Sequence, residues 1–356
     1  MHILFLADAS SPHSYRWIKY FSEIQGIKVT WCSLTENSMP VLENVEYKVL
    51  DKSNPLKLLK SLRFISNKSP DIIHAHYLGW NGFLSLFFPK TNIVLTAWGS
   101  DIVFNSKNWL IKFILRRMIR QSQVVTCDAY HLQHELIEIG GQDKKIKIVM
   151  FGIDENLFIS ERKPFSIKAD DSKYIVGSIR NLHPVYDLIT LLEAAKIVLE
   201  KRNDVLFNIA GSGPDLISLK SFVEKTNIGD SVKFLGRLDA SQLLDFYDQL
   251  DIYVSTSLSD GGIASSTAEA MLCERPVIIT EAAENGYWVE NQVNGRLFNC
   301  SDSINLAKII NELLDNQEIA LKLGLEAKET IILNNSYNNE MAKMLQIYKK
   351  LFNNLS

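Results

Sequence analysis

Residues 255–271 read STSLSDGGIASSTAEAM, and the chain changes character twice within them. Ser255 to Ser257 close an apolar, strand-like run that starts at Ile252. A polar loop with the pair Gly261 and Gly262 follows, and small residues then continue to Met271. Glycines let the backbone approach a ligand closely. The first amides of a helix favour an anion. Ala264 to Thr267 therefore read as the rim of an anion site. Glu269 stands one helical turn further on, where its carboxylate can accept from ribose hydroxyls, as acidic residues do in dinucleotide folds. The segment predicts an open α/β sheet with a nucleotide anchored on Gly261, Gly262, Ile263, Ala264, Ser265, Ser266, Thr267 and Glu269.

Working outward, short apolar runs alternate with helical patterns in both directions. HILFLA (2–7), KVTWCSL (28–34), DIIHAH (71–76), NIVLTAW (92–98), QVVTCD (123–128) and KIKIVMFG (145–152) read as strands with helices between. The segment 159–173, with Pro164 and several charges, interrupts the pattern and reads as a linker. The pattern restarts with YIVGSI (174–179), VLFNIAG (205–211), VKFLG (232–236), IYVSTS (252–257) and PVIIT (276–280). Alternation of this kind implies parallel sheets covered on both faces. The expectation is two Rossmann-like doubly wound domains, 1–160 and 173–335, facing a central cleft, with a closing helix at 336–356. Ligands of such sheets lie at the carboxyl ends of the strands.

Composition bounds the function. The 356 residues are 46% hydrophobic and 22% charged, with a net charge of −3, which argues against a general nucleic-acid binder. Residues 1–160 hold 18 Lys and Arg against 14 Asp and Glu, a net +4 that leaves −7 for the remainder. The basic first half points to an anionic partner surface. Cys32, Cys127, Cys273 and Cys300 form no CxxC pair, so neither a disulfide framework nor a zinc site is expected. The apolar start MHILFLADAS has no basic residue ahead of it and reads as a first strand, not a signal peptide. No stretch reaches the roughly 18 to 20 apolar residues that span a bilayer. A cytoplasmic protein is expected.

Several loops after strands carry reactive side chains. His13 and Arg16 follow the first strand, with Ser14 as a helix cap. His74 and His76, two apart in a strand, share a face; packing or hydrogen bonding is expected of them, and no third metal ligand is in view. Gly99, Ser100 and Asp101 follow another strand and could touch a sugar. Arg180 and His183 follow the first strand of the second half, and an arginine fork there suits a diphosphate. Gly211 and Gly236 end strands, with Arg237 and Leu238 next to Gly236 where the backbone can border a flat base.

Taken in order, SPHSYRW, PDIIHAH, TAWGSD, KIKIVMFGIDENLF, GSIRN, FLGRL, SDGGIASSTAEAMLCERPVI and NGYWVENQVNGRLF resemble the GT-B glycosyltransferases of family 4 over nearly the whole chain. The closing SYNNEMAKMLQIYKKLF looks like the tail that crosses back to the first domain in that family. The resemblance implies retaining transfer from a nucleotide sugar, most simply a UDP-sugar, with no cofactor and no obligatory metal. It makes Glu269 the second acid of the family's E-x7-E motif and Gly262 to Thr267 the loop around sugar and diphosphate. Arg180 becomes the cation for the leaving diphosphate; Asp260, which a loop shift could bring to the sugar hydroxyls, and His13, which stands after the first strand where a substrate could meet it, are read with it as the catalytic set. The chain departs from the pattern in three places. Gly261 occupies the position of the first acid, with Asp260 one residue earlier; no lysine partners Arg180; and Trp98 stands where the family has a histidine.

The acceptor implied is a glycan or a polyprenyl-linked sugar. Segments 55–69 and 108–122 mix apolar and basic residues and could lie on an anionic bilayer, placing the protein on the inner face of the membrane. Two other readings remain: a sugar-nucleotide epimerase, which needs no acceptor, and a non-catalytic carbohydrate-binding protein, suggested by the missing first acid. The loop DASSPH lacks GxGxxG, which disfavours a nicotinamide dehydrogenase.

Overall fold

The computed structural model describes residues 1–99, 102, 109–159, 165–168 and 173–354. The chain forms two compact units, Met1–Gly152 with Asn338–Ser356, and Ile153–Tyr337.

The first unit holds a seven-stranded parallel sheet. Its strands are β1 (His2–Leu6), β2 (Lys28–Ser33), β3 (Val45–Val49), β4 (Ile72–His76), β5 (Asn92–Ala97), β6 (Val124–Cys127) and β7 (Ile146–Ile148), in the order 3-2-1-4-5-6-7. The second unit holds β8 (Tyr174–Ile179), β9 (Val205–Ala210), β10 (Val232–Gly236), β11 (Ile252–Ser255), β12 (Val277–Thr280) and β13 (Arg296–Phe298), in the order 10-9-8-11-12-13. Both are doubly wound α/β sheets, as the sequence predicts. In each, the order reverses once, between β1 and β4 and between β8 and β11. These reversals are the switch points at which such sheets take ligands.

Helices α1 (Pro12–Ser22), α2 (Pro55–Asn67), α3 (Trp80–Ser85), α4 (Trp109–Gln121) and α5 (Tyr130–Ile139) belong to the first unit. Helices α6 (Glu155–Ile159), α7 (Leu188–Leu199), α8 (Leu216–Lys225), α9 (Ala240–Gln249), α10 (Ser265–Leu272), α11 (Asn285–Trp288), α12 (Ser303–Asp315) and α13 (Gln317–Asn335) belong to the second. Helix α7 reads LITLLEAAKIVL, and its Leu191 and Ala195 join Ile310 and Leu313 of α12 over Val176, Phe207 and Val254 of the sheet. β3 is the one strand of the first sheet that the pattern did not announce. Its residues alternate half-buried and exposed, so its apolar run is broken.

The closing helix α14 (Tyr337–Asn353) belongs to the first unit apart from its first residue, which belongs to the second. Met341, Met344, Tyr348 and Leu351 form its buried stripe, at the spacing of one helical face. The Glu340 carboxylate, 1% exposed as a residue, accepts from the Met150 N–H at 2.9 Å. Tyr348 packs on Phe21 with ring centroids 4.9 Å apart, and its hydroxyl is hydrogen-bonded to His74 Nδ1.

The unit boundary falls at Gly152, earlier than the linker expected at 159–173. The Ile153 N–H donates to the Asn335 carbonyl at 2.8 Å and the Tyr337 N–H to the Ile153 carbonyl at 3.0 Å, so both strands of the chain are tied there. Phe165, within the expected linker, is a core residue of the second unit, and Lys168 is ion-paired with Asp251 at 2.6 Å. Residues 160–164 and 169–172 of that linker lie outside the described residues.

The histidine pair is wholly internal. His74 Nε2 is hydrogen-bonded to Thr96 Oγ1 at 2.6 Å, and His76 Nδ1 to Ser14 Oγ at 3.3 Å. Burial, aided by the neighbouring histidine, pushes the His74 pKa well below 6.5, and burial takes His76 down to about 3. The unfolded chain thus binds protons below about pH 6.5 that the native state refuses. Unfolding free energy should fall as pH drops from 6.5 toward 3, by up to about 1.4 kcal/mol per pH unit for each histidine. Urea unfolding between pH 7 and 5 measures this slope, and His76→Gln should flatten it. An unchanged slope in that variant would refute the assignment.

Candidate active site

The site of the second unit is built from the ends of four strands. Arg180 follows β8, Gly211 follows β9, Arg237 and Leu238 follow β10, and the loop after β11 runs into α10. Together with Ile179, Asn181, Tyr186 and Leu243, the residues Arg180, Gly211, Arg237, Leu238, Ser265, Ser266 and Glu269 line one pocket of about 380 Å³. That volume is within the range of small-molecule sites. Seven residues singled out in the sequence thus converge, from positions spread over 90 residues of chain.

Close backbone approach makes the convergence. The Arg180 N–H donates to the Ala210 carbonyl at 3.1 Å, and the Gly211 N–H to the Gly236 carbonyl at 2.7 Å. Gly211 has φ +129°, and a Cβ on it would lie 1.9 Å from the Arg180 carbonyl oxygen. Only glycine fits. Gly262, also at φ +129°, turns the loop into α10.

Helix α10 opens with Ala264 in extended geometry and no side-chain cap. The Thr267 N–H already donates to the Ala264 carbonyl at 3.0 Å, so the amides that lack both a side-chain cap and an intrahelical acceptor are those of Ser265 and Ser266, the two helix residues that border the pocket. The side chains of Ile263 and Thr267 are buried, at 5% and 2% exposure, so these two can meet a ligand only through the backbone. Gly236, Gly261, Gly262 and Ala264 shape the turns and do not line the pocket.

Glu269 is braced from behind. The Tyr247 hydroxyl donates to the Glu269 carboxylate at 2.8 Å and lies 3.1 Å from the Ser266 carbonyl. Burial first, and the Glu269 charge second, push the Tyr247 pKa well above 10, so it stays a donor. Tyr253 donates to Ser266 Oγ at 2.8 Å. Neither tyrosine carries a local sequence signal; each is a strand or helix residue whose hydroxyl matters only through the packing. Tyr186 lies under Arg180, 4.3 Å from guanidinium carbon to ring centroid.

Asp260 does not project alone toward a sugar position. Its carboxylate is ion-paired with the Arg180 guanidinium. Gly261 leaves open space where a Cβ would be. His13 belongs to the first unit and is not part of this pocket. It is flanked by Trp98 and Phe151, with centroids 5.5 and 6.0 Å away, and these low-polarity surroundings, then the Arg16 charge, lower its pKa. Arg16 itself donates to the Gly152 carbonyl at 3.1 Å. His183 is exposed and precedes a short turn. Gly99 is described; Ser100 and Asp101 lie outside the described residues. Among the described residues, no three His, Cys, Asp or Glu side chains cluster as metal ligands.

Two family models match the chain: glycosyl transferase 4-like over residues 2–129, and glycosyl transferases group 1 over residues 159–330. The chain is 27% identical over 273 residues to the N-acetyl-alpha-D-glucosaminyl L-malate synthase of Bacillus anthracis, covering 73% of this chain and 70% of that one. It superposes on HepE of Anabaena in complex with UDP at TM-score 0.79 and 18% identity, covering 98% and 100% of the two chains. A glycosyltransferase from Rickettsia africae superposes at TM-score 0.83 and 18% identity, covering 98% of each.

Gly211→Ala should weaken nucleotide binding, because the new Cβ would lie 1.9 Å from the Arg180 carbonyl oxygen and must displace the turns that line the pocket. The strain should also cost about 1 to 3 kcal/mol of stability. Calorimetric titration and denaturant unfolding read the two effects; wild-type affinity in the variant would show that the turn does not position Arg180.

Proposed function

The chain belongs to the GT-B glycosyltransferases of family 4 type, and acts by transfer from a nucleotide sugar; from that premise we propose a retaining transfer from a UDP-sugar to a glycan or polyprenyl-linked acceptor, in the assembly of a cell-surface glycan. The observation that carries the donor site is the ordered polarity of one pocket: Arg180, the uncapped start of α10, then Glu269. A cation and amides suit a diphosphate, and a braced carboxylate suits ribose hydroxyls. The UDP complex of HepE supports the choice of base.

Negative charge grows on the diphosphate as the glycosidic bond breaks. Arg180 and the first amides of α10 meet that charge, and a single donor of this kind is typically worth about 3 to 4 kcal/mol. The departing phosphate takes the acceptor proton, so no protein base and no covalent nucleophile are required. Leu238 borders the base, and Glu269, held by Tyr247, accepts from the ribose.

The first unit supplies the acceptor side. Trp109 and Phe113 of α4 are 80% and 65% exposed, beside Lys112, Arg117 and Arg120. In α2, Leu56 and Leu59 are exposed among Lys57, Lys60 and Arg63. An apolar cavity of about 420 Å³, lined by Trp80, Phe83, Ile114 and Met118 among others, lies between α3 and α4. No helix among the described residues is long and apolar enough to cross a membrane. Large exposed apolar side chains with a basic surround suit an anionic bilayer surface.

Three experiments test these readings. In a thermal-shift screen of UDP-, GDP- and ADP-sugars, UDP-sugars should stabilise the parent and not Glu269→Ala. Arg180→Ala should lower kcat about 10²- to 10³-fold with a smaller change in KM. Turnover of the donor without acceptor would instead indicate an epimerase. In flotation, the protein should rise with vesicles containing phosphatidylglycerol and stay behind with neutral phosphatidylcholine; Trp109→Ser with Phe113→Ser should stay behind in both. Equal recovery in the two vesicle types would remove the bilayer from the proposal.

A further inference from the structure

Arg180 and Asp260 meet across the switch point of the second sheet. Both side chains are about nine-tenths buried, at 9% and 10% exposure. The guanidinium carbon lies 4.3 Å from the Tyr186 ring centroid, and Nη2 lies 3.5 Å from Ser257 Oγ. The Ser257 hydroxyl in turn donates to the Ser259 carbonyl at 3.1 Å, which pins the loop that carries Asp260. Arg180 lines the nucleotide pocket, whereas Asp260 is not among its lining residues.

We infer that Asp260 is a positioning residue, the counter-ion of Arg180, which competes with the donor's diphosphate for the guanidinium and does not read the sugar. The inference rests on the donor-site reading above. A cation already neutralised by a carboxylate attracts a second anion less, and the incoming phosphates must also approach that carboxylate's charge. The penalty therefore scales with the charge of the ligand. Transfer converts a nucleotide sugar into a nucleoside diphosphate, whose freed terminal phosphate carries additional negative charge. Asp260 thus weakens retention of the product more than binding of the donor. It also explains how the chain tolerates Gly261: the nearest acid serves the diphosphate end of the site, and the sugar end has open space where a Cβ would stand.

Calorimetric titration of parent and Asp260→Asn with uridine, UMP and UDP tests this. Asparagine keeps the shape and removes the charge. Uridine affinity should stay the same, UMP should tighten, and UDP should tighten most, by about tenfold. Product inhibition by UDP should strengthen in parallel. Asp260→Glu, which restores the charge, should reverse the tightening. A uniform change for all three ligands would show a merely structural role and overturn the inference. So would unchanged UDP binding with weakened UDP-glucose binding, which would make Asp260 a sugar reader. A parent that binds no UDP would overturn the donor-site reading itself, and the inference with it.

Discussion

The reversal of strand order in the second sheet is the constraint on which the site depends. The chain leaves β8 for β9 and β10 on one side, then returns to lay β11 on the other. The loops after β8 and β11 therefore lead away from each other, and the carboxyl ends of these neighbours are left without a connection passing over them. Arg180 and the loop to α10 occupy that opening. The first sheet repeats the device at β1 and β4, where Ser14 and His76 meet. A different strand order from the same elements would leave Arg180 and Glu269 on unrelated edges.

Holding charged groups at such an opening needs a rigid surround. Gly211 allows backbone to approach Arg180 more closely than any side chain would permit. Tyr186 packs against the guanidinium, and Asp260 pairs with its charge. On the opposite wall, Tyr247 and Tyr253 grip Ser266 and Glu269 through hydroxyls whose burial keeps them protonated. Buried ion pairs contribute little net stability, since desolvation offsets much of the attraction. Their value here is orientation.

The first unit depends on an internal aromatic and histidine layer. His74 and His76 lie among Phe5, Trp17 and, for His74, Tyr348, and α14 closes that face. Neutral imidazoles can be buried there because Thr96, Ser14 and Tyr348 provide hydrogen-bond partners. This is why a tail of the chain folds with its beginning: Tyr348, in the stripe Met341, Met344, Tyr348 and Leu351, packs on Phe21 and His74 of the first unit.

Much of this was legible in the sequence. Period and punctuation announce the strands, because buried parallel strands are continuous apolar runs. Gly211, Gly236 and the run from Gly261 to Glu269 were visible because phosphate-binding turns demand glycine and a helix start at fixed offsets. β3 was not legible, since an exposed edge strand breaks the apolar run. The end of the first unit was misplaced, since hydrogen bonds at Ile153, and not composition, decide it. Above all, local pattern shows which side chains stand after a strand but not which two strands become neighbours. Asp260 read as an offset sugar acid from its place in the motif; packing β11 beside β8 made it the partner of Arg180. Chemistry that lies along the chain was determined by sequence alone. Chemistry between residues 80 positions apart was decided only by the sheet.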